Sequence, residues 1–309
     1  MRREEIIYDS RDGVSKIHAV RWLPDDGQVK YVLQLIHGMA EHIDRYANVA
    51  EWFTQRGFCV TGDNHLGHGA TARDGGCYGY FCPQDPATVA VRDVHRLKKI
   101  TQEAYPGVPY FILGHSMGSF MVRNYMFKYG TGVDGVIVCG TGSQPPYIIK
   151  FGIFLSWLQS KIYGDKHLAK LIDRLSFGDS SKTPPEEKSS WLCTDPEVCK
   201  KFDEDPECGF MFTVNGFSTL FHLIDRINNK KNRNSIPKNL PIKIISGSDD
   251  SVGNYGPGVI QAYEEYKAAG IKDIECKIYE GLRHEILNEP VRCEIYQEIY
   301  DWMMKHISG

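Results

Sequence analysis

The sequence has no long hydrophobic run. Its most apolar stretch, from Ile148 to Leu158, is interrupted by Lys150 and is shorter than the ~20 apolar residues that a membrane-spanning helix needs. The first ten residues, M-R-R-E-E-I-I-Y-D-S, become polar again before any apolar segment of signal-peptide length. We therefore predict no transmembrane helix and no export signal, and we expect a cytoplasmic protein.

An excess of charge and a cysteine motif for metal binding are also missing. The 309 residues carry a formal net charge of -3, which provides no basic field to attract nucleic acid or an anionic membrane. None of the nine cysteines forms the C-x-x-C pattern of a metal or redox site, so we expect them to be reduced thiols. The sequence predicts a small neutral substrate and no nucleic acid, metal or organic cofactor.

The sequence does contain a regular succession of short β-branched or aromatic runs bounded by glycine, proline or aspartate. From the third run on, they alternate with segments of helical periodicity, which is typical of an α/β fold with helices on both faces of a mostly parallel sheet. The first two runs predict an antiparallel entry hairpin. The eight predicted strands are 5–8, 17–23, 30–36, 58–62, 109–113, 134–139, 242–246 and 274–279, and the predicted helices are 44–56, 86–104, 117–129, 258–269 and 289–306.

The alternation of strands and helices stops after the sixth strand and resumes before the seventh. An apolar helix ending at Tyr163 opens the intervening block, and a helical pattern over 217–228 closes it. We predict a helical cap at 143–236, inserted into a core formed by residues 1–142 and 237–309.

The strongest functional signal is the segment P-Y-F-I-L-G-H-S-M-G-S-F, in which G-x-S-x-G joins a predicted strand to a predicted helix. A serine on such a sharp turn projects its Oγ above the sheet, and the crowded backbone admits only small residues two positions away, here Gly114 and Gly118. The alternative is a chance match in a glycine-rich loop, which the flanking strand and helix disfavour. We interpret Ser116 as the nucleophile.

Two backbone N–H groups are expected to stabilise the oxyanion. One belongs to Met117, at the start of the helix after the nucleophile. The other belongs to Met39, in the H-G-M-A loop that follows the third predicted strand. The neighbouring His37 lies on the wrong loop for a catalytic base, and we interpret it as a structural histidine of the turn.

The acid and the base are expected on the loops after the last two strands, because this arrangement follows the chain order serine, acid, histidine. The segment I-K-I-I-S-G-S-D-D-S-V offers two acids, of which we favour Asp250 and keep Asp249 as the alternative. The loop E-G-L-R-H-E supplies His284 as the base.

These residues predict a serine hydrolase that works through an acyl-enzyme. His284 takes the proton of Ser116 as Oγ attacks an acyl carbon, and Asp250 holds the imidazole in the required tautomer. Another acyl-type hydrolase or an acyltransferase would use the same residues, since a fold does not select among these reactions. A non-catalytic receptor would have no chemical need for all three groups.

Four motifs, H-G-M-A-E-H-I-D-R-Y, G-H-S-M-G, G-S-D-D-S-V-G and E-G-L-R-H-E, resemble those of the bacterial monoacylglycerol lipase and lysophospholipase-like branch of the α/β-hydrolase superfamily. Segments 191–195 and 205–213 also resemble that branch. The resemblance implies an ester hydrolase acting on an apolar acyl group, in a monoacylglycerol, a lysophospholipid or a smaller acyl ester. One departure is Asn64, in N-H-L-G-H-G, where relatives carry the aspartate of D-x-x-G-H-G; this puts a local contact in doubt.

The apolar segments of the predicted cap, 148–158 and 210–223, have two interpretations. They line a channel for an acyl chain, or they form the core of the cap itself, which is the more common role of apolar residues at helical spacing. Phe154 and Trp157 are candidates for a peripheral contact with a membrane. The sequence does not indicate an oligomeric state.

Overall fold

One eight-stranded sheet organises the chain. The computed structural model describes residues 1–178 and 188–307. The strands are β1 (Arg2–Asp9), β2 (Lys16–Leu23), β3 (Tyr31–Ile36), β4 (Phe58–Asp63), β5 (Tyr110–His115), β6 (Gly135–Cys139), β7 (Ile242–Gly247) and β8 (Ile274–Tyr279), and they lie in the order β1-β2-β4-β3-β5-β6-β7-β8. β2 is antiparallel to β1 and to β4, and all other neighbours are parallel. The eight predicted strands and the entry hairpin are confirmed.

Helices follow the strands on both faces of the sheet. Within the described residues the α-helices are α1 (Ala47–Thr54), α2 (Gly69–Arg73), α3 (Pro86–Ala104), α4 (Met117–Tyr129), α5 (Pro146–Tyr163), α6 (Lys170–Phe177), α7 (Pro196–Glu204), α8 (Val214–Asn228), α9 (Lys230–Asn234), α10 (Pro257–Ala268) and α11 (Arg292–Lys305). Short 3-10 turns occupy Ile43–Tyr46 and Gly130–Gly132. The predicted α/β class is confirmed.

Two hydrophobic cores, one on each face, hold the helices to the sheet. Successive side chains of a strand point to opposite faces, so Phe111 and Leu113 of β5 belong to the core that includes α1 and α11, whereas Ile112 belongs to the core that includes α3, α4 and α8. The middle strands β4, β5, β6 and β7 are buried along their whole length. Loops at the carboxyl ends of these strands therefore start from a rigid base.

The predicted insertion after the sixth strand is present as α5 to α9, between β6 and β7. α5 packs along α8, whose buried face joins the core over α4. Residues 179–187 of the predicted cap lie outside the described residues, and its boundaries at 143 and 236 stay a prediction. Every described helix is too short or too polar to span a bilayer.

Candidate active site

Ser116 occupies the sharp turn between β5 and α4. Its backbone has φ 55° and ψ -121°, a conformation that residues other than glycine rarely adopt. A Cβ on Gly118 would lie 2.1 Å from the carbonyl oxygen of Ile36, and one on Gly114 would lie 2.3 Å from the carbonyl oxygen of Gly118. Small residues are needed beside Ser116 because β3, β5 and α4 approach each other this closely.

Asp250 and His284, on the loops after β7 and β8, form a buried pair. Nδ1 of His284 lies 2.9 Å from Oδ1 of Asp250, and the two side chains are 1% and 0% exposed. The carboxylate also accepts hydrogen bonds from the Ser246 hydroxyl at 2.8 Å and from the Val252 N–H at 2.9 Å. Burial alone would raise the pKa of Asp250, but the charge and hydrogen bond of His284, with these other donors, hold it below its usual value.

The alternative acid, Asp249, does not pair with His284. It is exposed and accepts a hydrogen bond from the hydroxyl of its neighbour Ser248 at 2.8 Å. The structure therefore brings His284 together with Asp250, the acid that the sequence favoured.

Ser116 and His284 both line a cavity of about 300 Å³ above the carboxyl edge of the sheet. Nε2 of His284 is buried and has no hydrogen-bond partner among the described residues. Apolar side chains from the core and from the insertion line most of the rest of the cavity, among them Phe120, Phe210 and Leu220, and charged residues such as Asp173 and Lys188 also border it. Ser116 and His284 therefore border the same largely apolar space.

The two expected oxyanion donors lie at the cavity that Ser116 lines. Met39 and Met117 line the same cavity, and neither amide N–H donates a hydrogen bond to another described residue. The loop of Met39 lies close to Ser116: a Cβ added to Gly38 would be 3.0 Å from Cβ of Ser116.

His37 lies beneath the loop of Met39 and is fully buried. Its Nε2 accepts a hydrogen bond from the His65 N–H at 3.2 Å, and its Nδ1 lies 2.8 Å from the Gly38 carbonyl oxygen. Both ring nitrogens are engaged in the turn, as expected for a structural histidine.

Comparison with known proteins agrees with this geometry. The profile of the Hydrolase_4 family, described as serine aminopeptidase, S33, matches residues 27–291. The chain belongs to the Hydrolase_4 family. It is 25% identical to a monoacylglycerol lipase of Mycolicibacterium smegmatis, and this match covers 99% of the chain and 98% of that relative. It is 26% identical to the monoglyceride lipase of Homo sapiens, and this match covers 93% of the chain and 86% of that relative. A crystal structure of a thermostable carboxyl esterase from Bacillus coagulans, solved with glycerol, is similar with a TM-score of 0.90 and 30% identity over 99% of both chains.

Membership in the Hydrolase_4 family and these similarities confirm the resemblance to monoacylglycerol lipase-like α/β-hydrolases. They also confirm the fold and the class of enzyme, a carboxylic ester hydrolase.

A buried polar network that the sequence analysis missed links the loops of this Hydrolase_4 site. Oε1 of Glu41 accepts hydrogen bonds from the Gly38 N–H at 2.5 Å and from the Tyr46 hydroxyl at 2.9 Å. It also lies 3.4 Å from Nδ1 of His115, the residue before Ser116. Glu41 thus fixes the peptide that precedes Met39 and contacts the turn that carries the nucleophile.

Arg45 extends this network to the loop of the base. Its Nη1 donates to Oε2 of Glu41 at 2.6 Å, and its two Nη atoms form a bidentate pair with the Glu285 carboxylate at 2.7 Å each. Nε2 of His115 lies 3.2 Å from the His284 carbonyl oxygen. The loops of Met39, Ser116 and His284 are therefore joined by one buried set of charge-assisted hydrogen bonds.

The network shifts the ionisation of its members. Burial alone would raise the pKa of Glu41, but the hydrogen bond to His115 and the charge of Arg45 lower it well below its usual value. Burial likewise opposes the charged form of His115, yet the hydrogen bond and charge of Glu41 raise the pKa of His115 above its usual value. The fold thus favours an ionised Glu41.

Asn64, where the chain departs from the relatives' motif, connects the loop after β4 to the segment after β3. Its Oδ1 accepts a hydrogen bond from the Ile43 N–H at 3.0 Å, which needs only an acceptor oxygen and no negative charge. The buried carboxylate of the preceding Asp63 accepts a hydrogen bond from the Tyr8 hydroxyl at 3.0 Å instead. The substitution therefore leaves the loop after β4 attached to the loop after β3.

Proposed function

We propose that the protein hydrolyses the ester bond of monoacylglycerols through an acyl-enzyme on Ser116. The observation that carries this proposal is the buried pair of Asp250 and His284: His284 lines the same largely apolar cavity as Ser116, and its Nε2 has no hydrogen-bond partner among the described residues. A receptor would gain nothing from burying an acid–base pair at its binding cavity with one imidazole nitrogen left without a hydrogen-bond partner among the described residues.

In the first half of the reaction, His284 Nε2 takes the proton of the Ser116 hydroxyl while Oγ forms a bond to the ester carbonyl carbon. The carbonyl oxygen becomes an oxyanion, which the N–H groups of Met39 and Met117 stabilise. The intermediate then expels the alcohol, which takes its proton from His284. The products of this half are a free alcohol and an acyl group on Ser116.

In the second half, water replaces the alcohol. His284 takes a proton from the water as its oxygen attacks the acyl carbon, and the new oxyanion lies between the same two N–H groups. Ser116 leaves with the proton from His284, and a fatty acid is released. Throughout, Asp250 keeps the proton of His284 on Nδ1, so that Nε2 is the nitrogen that exchanges protons.

The shape of the cavity supports a substrate with one acyl chain. Its volume of about 300 Å³ is at the low end of ligand pockets, and Phe120, Phe177 and Leu220 contribute apolar walls. Relatives that match nearly the whole chain are named monoacylglycerol or monoglyceride lipases, which favours a monoacylglycerol over a lysophospholipid or a soluble ester as the substrate.

We also propose that the insertion is a cap with the predicted boundaries 143 and 236.

The insertion also supports a peripheral contact with lipid aggregates. Phe154 and Trp157 of α5 are 54% and 55% exposed, and Leu171 and Leu175 of α6 are 51% and 62% exposed. Exposed apolar side chains grouped in this way mark interaction surfaces more often than singly scattered ones. We expect F154S/W157S to bind lipid vesicles more weakly than wild type in a flotation assay, with unchanged turnover of a soluble short-chain ester; equal binding would contradict the contact.

The nine cysteines are free thiols, and most of them are buried or half-buried. Free thiols persist in a reducing compartment. This supports the cytoplasm as the place where the enzyme acts.

The proposed reaction is tested with a substrate panel that shares one acyl chain. Purified protein is given 1-dodecanoylglycerol, the corresponding lysophosphatidylcholine and p-nitrophenyl dodecanoate, and released fatty acid is measured. Of the two lipids, we expect the monoacylglycerol to have the higher kcat/KM. We expect Ser116→Ala to lose up to ~10⁶ in kcat. Ser160→Ala, on α5, is the control and should match wild type. Faster lysophospholipid cleavage would overturn the substrate, and a loss under tenfold in Ser116→Ala would overturn the mechanism.

A further inference from the structure

Trp191, from the insertion, stacks on the imidazole of His284. The ring centroids are 5.1 Å apart and the planes differ by 30°. His284 is 1% exposed, whereas Trp191 is 42% exposed. The indole therefore separates one face of the imidazole from solvent. The sequence indicated the segment of Trp191 only as similar to relatives and gave it no role.

The backbone around Trp191 is hydrogen-bonded to the loop of His284. The Glu285 N–H donates to the Leu192 carbonyl oxygen at 2.6 Å, and the His284 N–H lies 3.5 Å from the Trp191 carbonyl oxygen. Arg283 adds two bonds from Nη1, to the carbonyl oxygens of Ser190 at 2.5 Å and Cys193 at 3.0 Å. The chain around Trp191 and the chain around His284 therefore form one hydrogen-bonded unit.

The carboxylate of Glu289 closes this unit. It is fully buried and accepts hydrogen bonds from the Arg283 N–H at 2.9 Å, from the Thr194 N–H at 3.1 Å and from the Thr194 hydroxyl. A buried side chain that accepts hydrogen bonds from both segments holds them in one geometry. The Trp191 ring is consequently carried on a fixed piece of chain and not on a freely moving lid.

We propose that Trp191 is a positioning residue for the catalytic base, so that this part of the insertion completes the active site. This inference rests on the proposed role of His284. The stacked indole fixes the plane of the imidazole and thereby the direction of Nε2 towards the cavity. Its electron-rich face also stabilises the imidazolium that forms when His284 takes the serine proton.

A simpler role for Trp191 is that of a cavity wall that only contacts the substrate, since it lines the same cavity as Ser116. The two roles differ in what substitution changes. If Trp191 only contacts the substrate, its substitution changes KM, and the change grows with the length of the acyl chain. Loss of support for the base lowers kcat for every ester, including one too short to reach the wall.

The kinetic test compares Trp191→Phe and Trp191→Leu on p-nitrophenyl acetate and p-nitrophenyl octanoate. We expect Trp191→Leu to lower kcat about tenfold on both esters, while Trp191→Phe, which keeps an aromatic face, stays within about threefold of wild type. Trp52→Leu is the matched control and should keep wild-type kcat, because this half-buried tryptophan on α1 is not among the described residues that line the cavity, and its ring contacts Phe53, Tyr296 and Tyr300. An effect confined to KM on the octanoate would overturn the inference.

A second readout does not depend on turnover. An imidazole stacked on an indole changes the surroundings of the indole ring and hence its fluorescence. The emission that wild type has and Trp191→Phe lacks should therefore change when His284 is replaced in His284→Asn. A Trp191 emission that is identical in wild type and His284→Asn would contradict the contact between Trp191 and His284, even where Trp191→Leu fails to fold.

Ser116→Ala and His284→Asn separate this inference from the proposed function. Both variants must lose turnover if the proposed function is right. If they are inactive and Trp191→Leu keeps wild-type kcat, the inference about Trp191 fails alone. If either keeps wild-type turnover, the proposed function itself fails.

Discussion

At the residue scale, the two neighbouring aspartates after β7 give the cleanest comparison. Asp250 is buried against His284, whereas Asp249 points to solvent, although the two carboxylates are adjacent in the chain. We expect Asp250→Asn to lower kcat by ~10³ to 10⁴, because an amide cannot hold the required tautomer of His284. Asp249→Asn should stay within about twofold of wild type. Steady-state kinetics check both variants, and the reverse order of effects would make Asp249 the acid.

Glu41 carries the second prediction at this scale. Removing its charge weakens the bond to the Gly38 N–H and loosens the loop of Met39, while Arg45 keeps its pair with Glu285. We expect Glu41→Gln to lower kcat by about 10- to 100-fold with little change in KM, since oxyanion stabilisation acts in the transition state.

Glu51→Gln, on the exposed face of α1, is the matched control and should leave kcat unchanged. Circular dichroism and thermal unfolding show whether each variant is folded. A folded Glu41→Gln with wild-type kcat would contradict the role of the network.

The sequence indicated some residues of this site and left others unseen for a physical reason. Ser116 and His284 stand in motifs whose local spacing reports the turn that each one needs. Glu41 and Glu285 both pair with Arg45, but Glu285 is 240 positions from that arginine, and no local spacing indicates such a contact. A single sequence shows that these residues are charged and gives no sign that they are buried together.

At the scale of elements, periodicity predicted the long helices better than the short ones. α3 and α4 have the predicted bounds, because α3 has a long amphipathic pattern and the start of α4 is fixed by the turn of Ser116. α6, α7 and α9 have five to nine residues and were not predicted. Helices this short depend on caps and on neighbours, such as the Asp195 carboxylate that accepts a hydrogen bond from the Glu197 N–H at the start of α7.

The start of the last helix shows the same limit. The pattern predicted a helix from 289, but α11 begins at Arg292. Glu289 is instead drawn into the hydrogen bonds with Thr194 and Arg283. A tertiary contact has therefore overridden a local preference for helix.

The attachment of the turn between β1 and β2 to α3 gives a prediction about pH. Asp93 of α3 is buried and accepts hydrogen bonds from the Ser10 hydroxyl at 2.7 Å and the Arg11 N–H at 2.6 Å. Burial raises the pKa of Asp93 to about 7, despite the opposing effect of these donors. The folded protein therefore keeps this proton up to a pH at which an unfolded chain, with a pKa of ~3.9, has released it.

Because the folded state binds more protons between these two pKa values, the contribution of Asp93 to stability falls as the pH rises from about 4 to 7. We expect the free energy of unfolding of wild type to decline relative to Asp93→Asn by roughly 1 to 3 kcal/mol across this interval. Asp301→Asn, on the exposed side of α11, is the control. Urea unfolding at several pH values measures the difference, and parallel curves for wild type and Asp93→Asn would contradict the raised pKa.

At the scale of the whole molecule, the fold brings together four loops that are far apart in sequence. The carboxyl ends of β3, β5, β7 and β8 place Met39, Ser116, Asp250 and His284 at one edge of the sheet. The alternation of strands and helices predicted this edge, since parallel strands joined by helices have their carboxyl ends on the same side. It did not predict how the insertion covers the edge, because that depends on contacts such as the stacking of Trp191 on His284.

The central claim is that Ser116 is a nucleophile activated by His284, and covalent labelling tests it most directly. Wild type, Ser116→Ala and His284→Asn are treated with a fluorophosphonate probe, and intact mass and peptide mapping locate the adduct. We expect one adduct on wild type, on the peptide that carries Ser116, no adduct on Ser116→Ala, and labelling slowed by more than about 100-fold in His284→Asn. Labelling of folded Ser116→Ala at the wild-type rate, or no labelling of active wild type, would contradict the account.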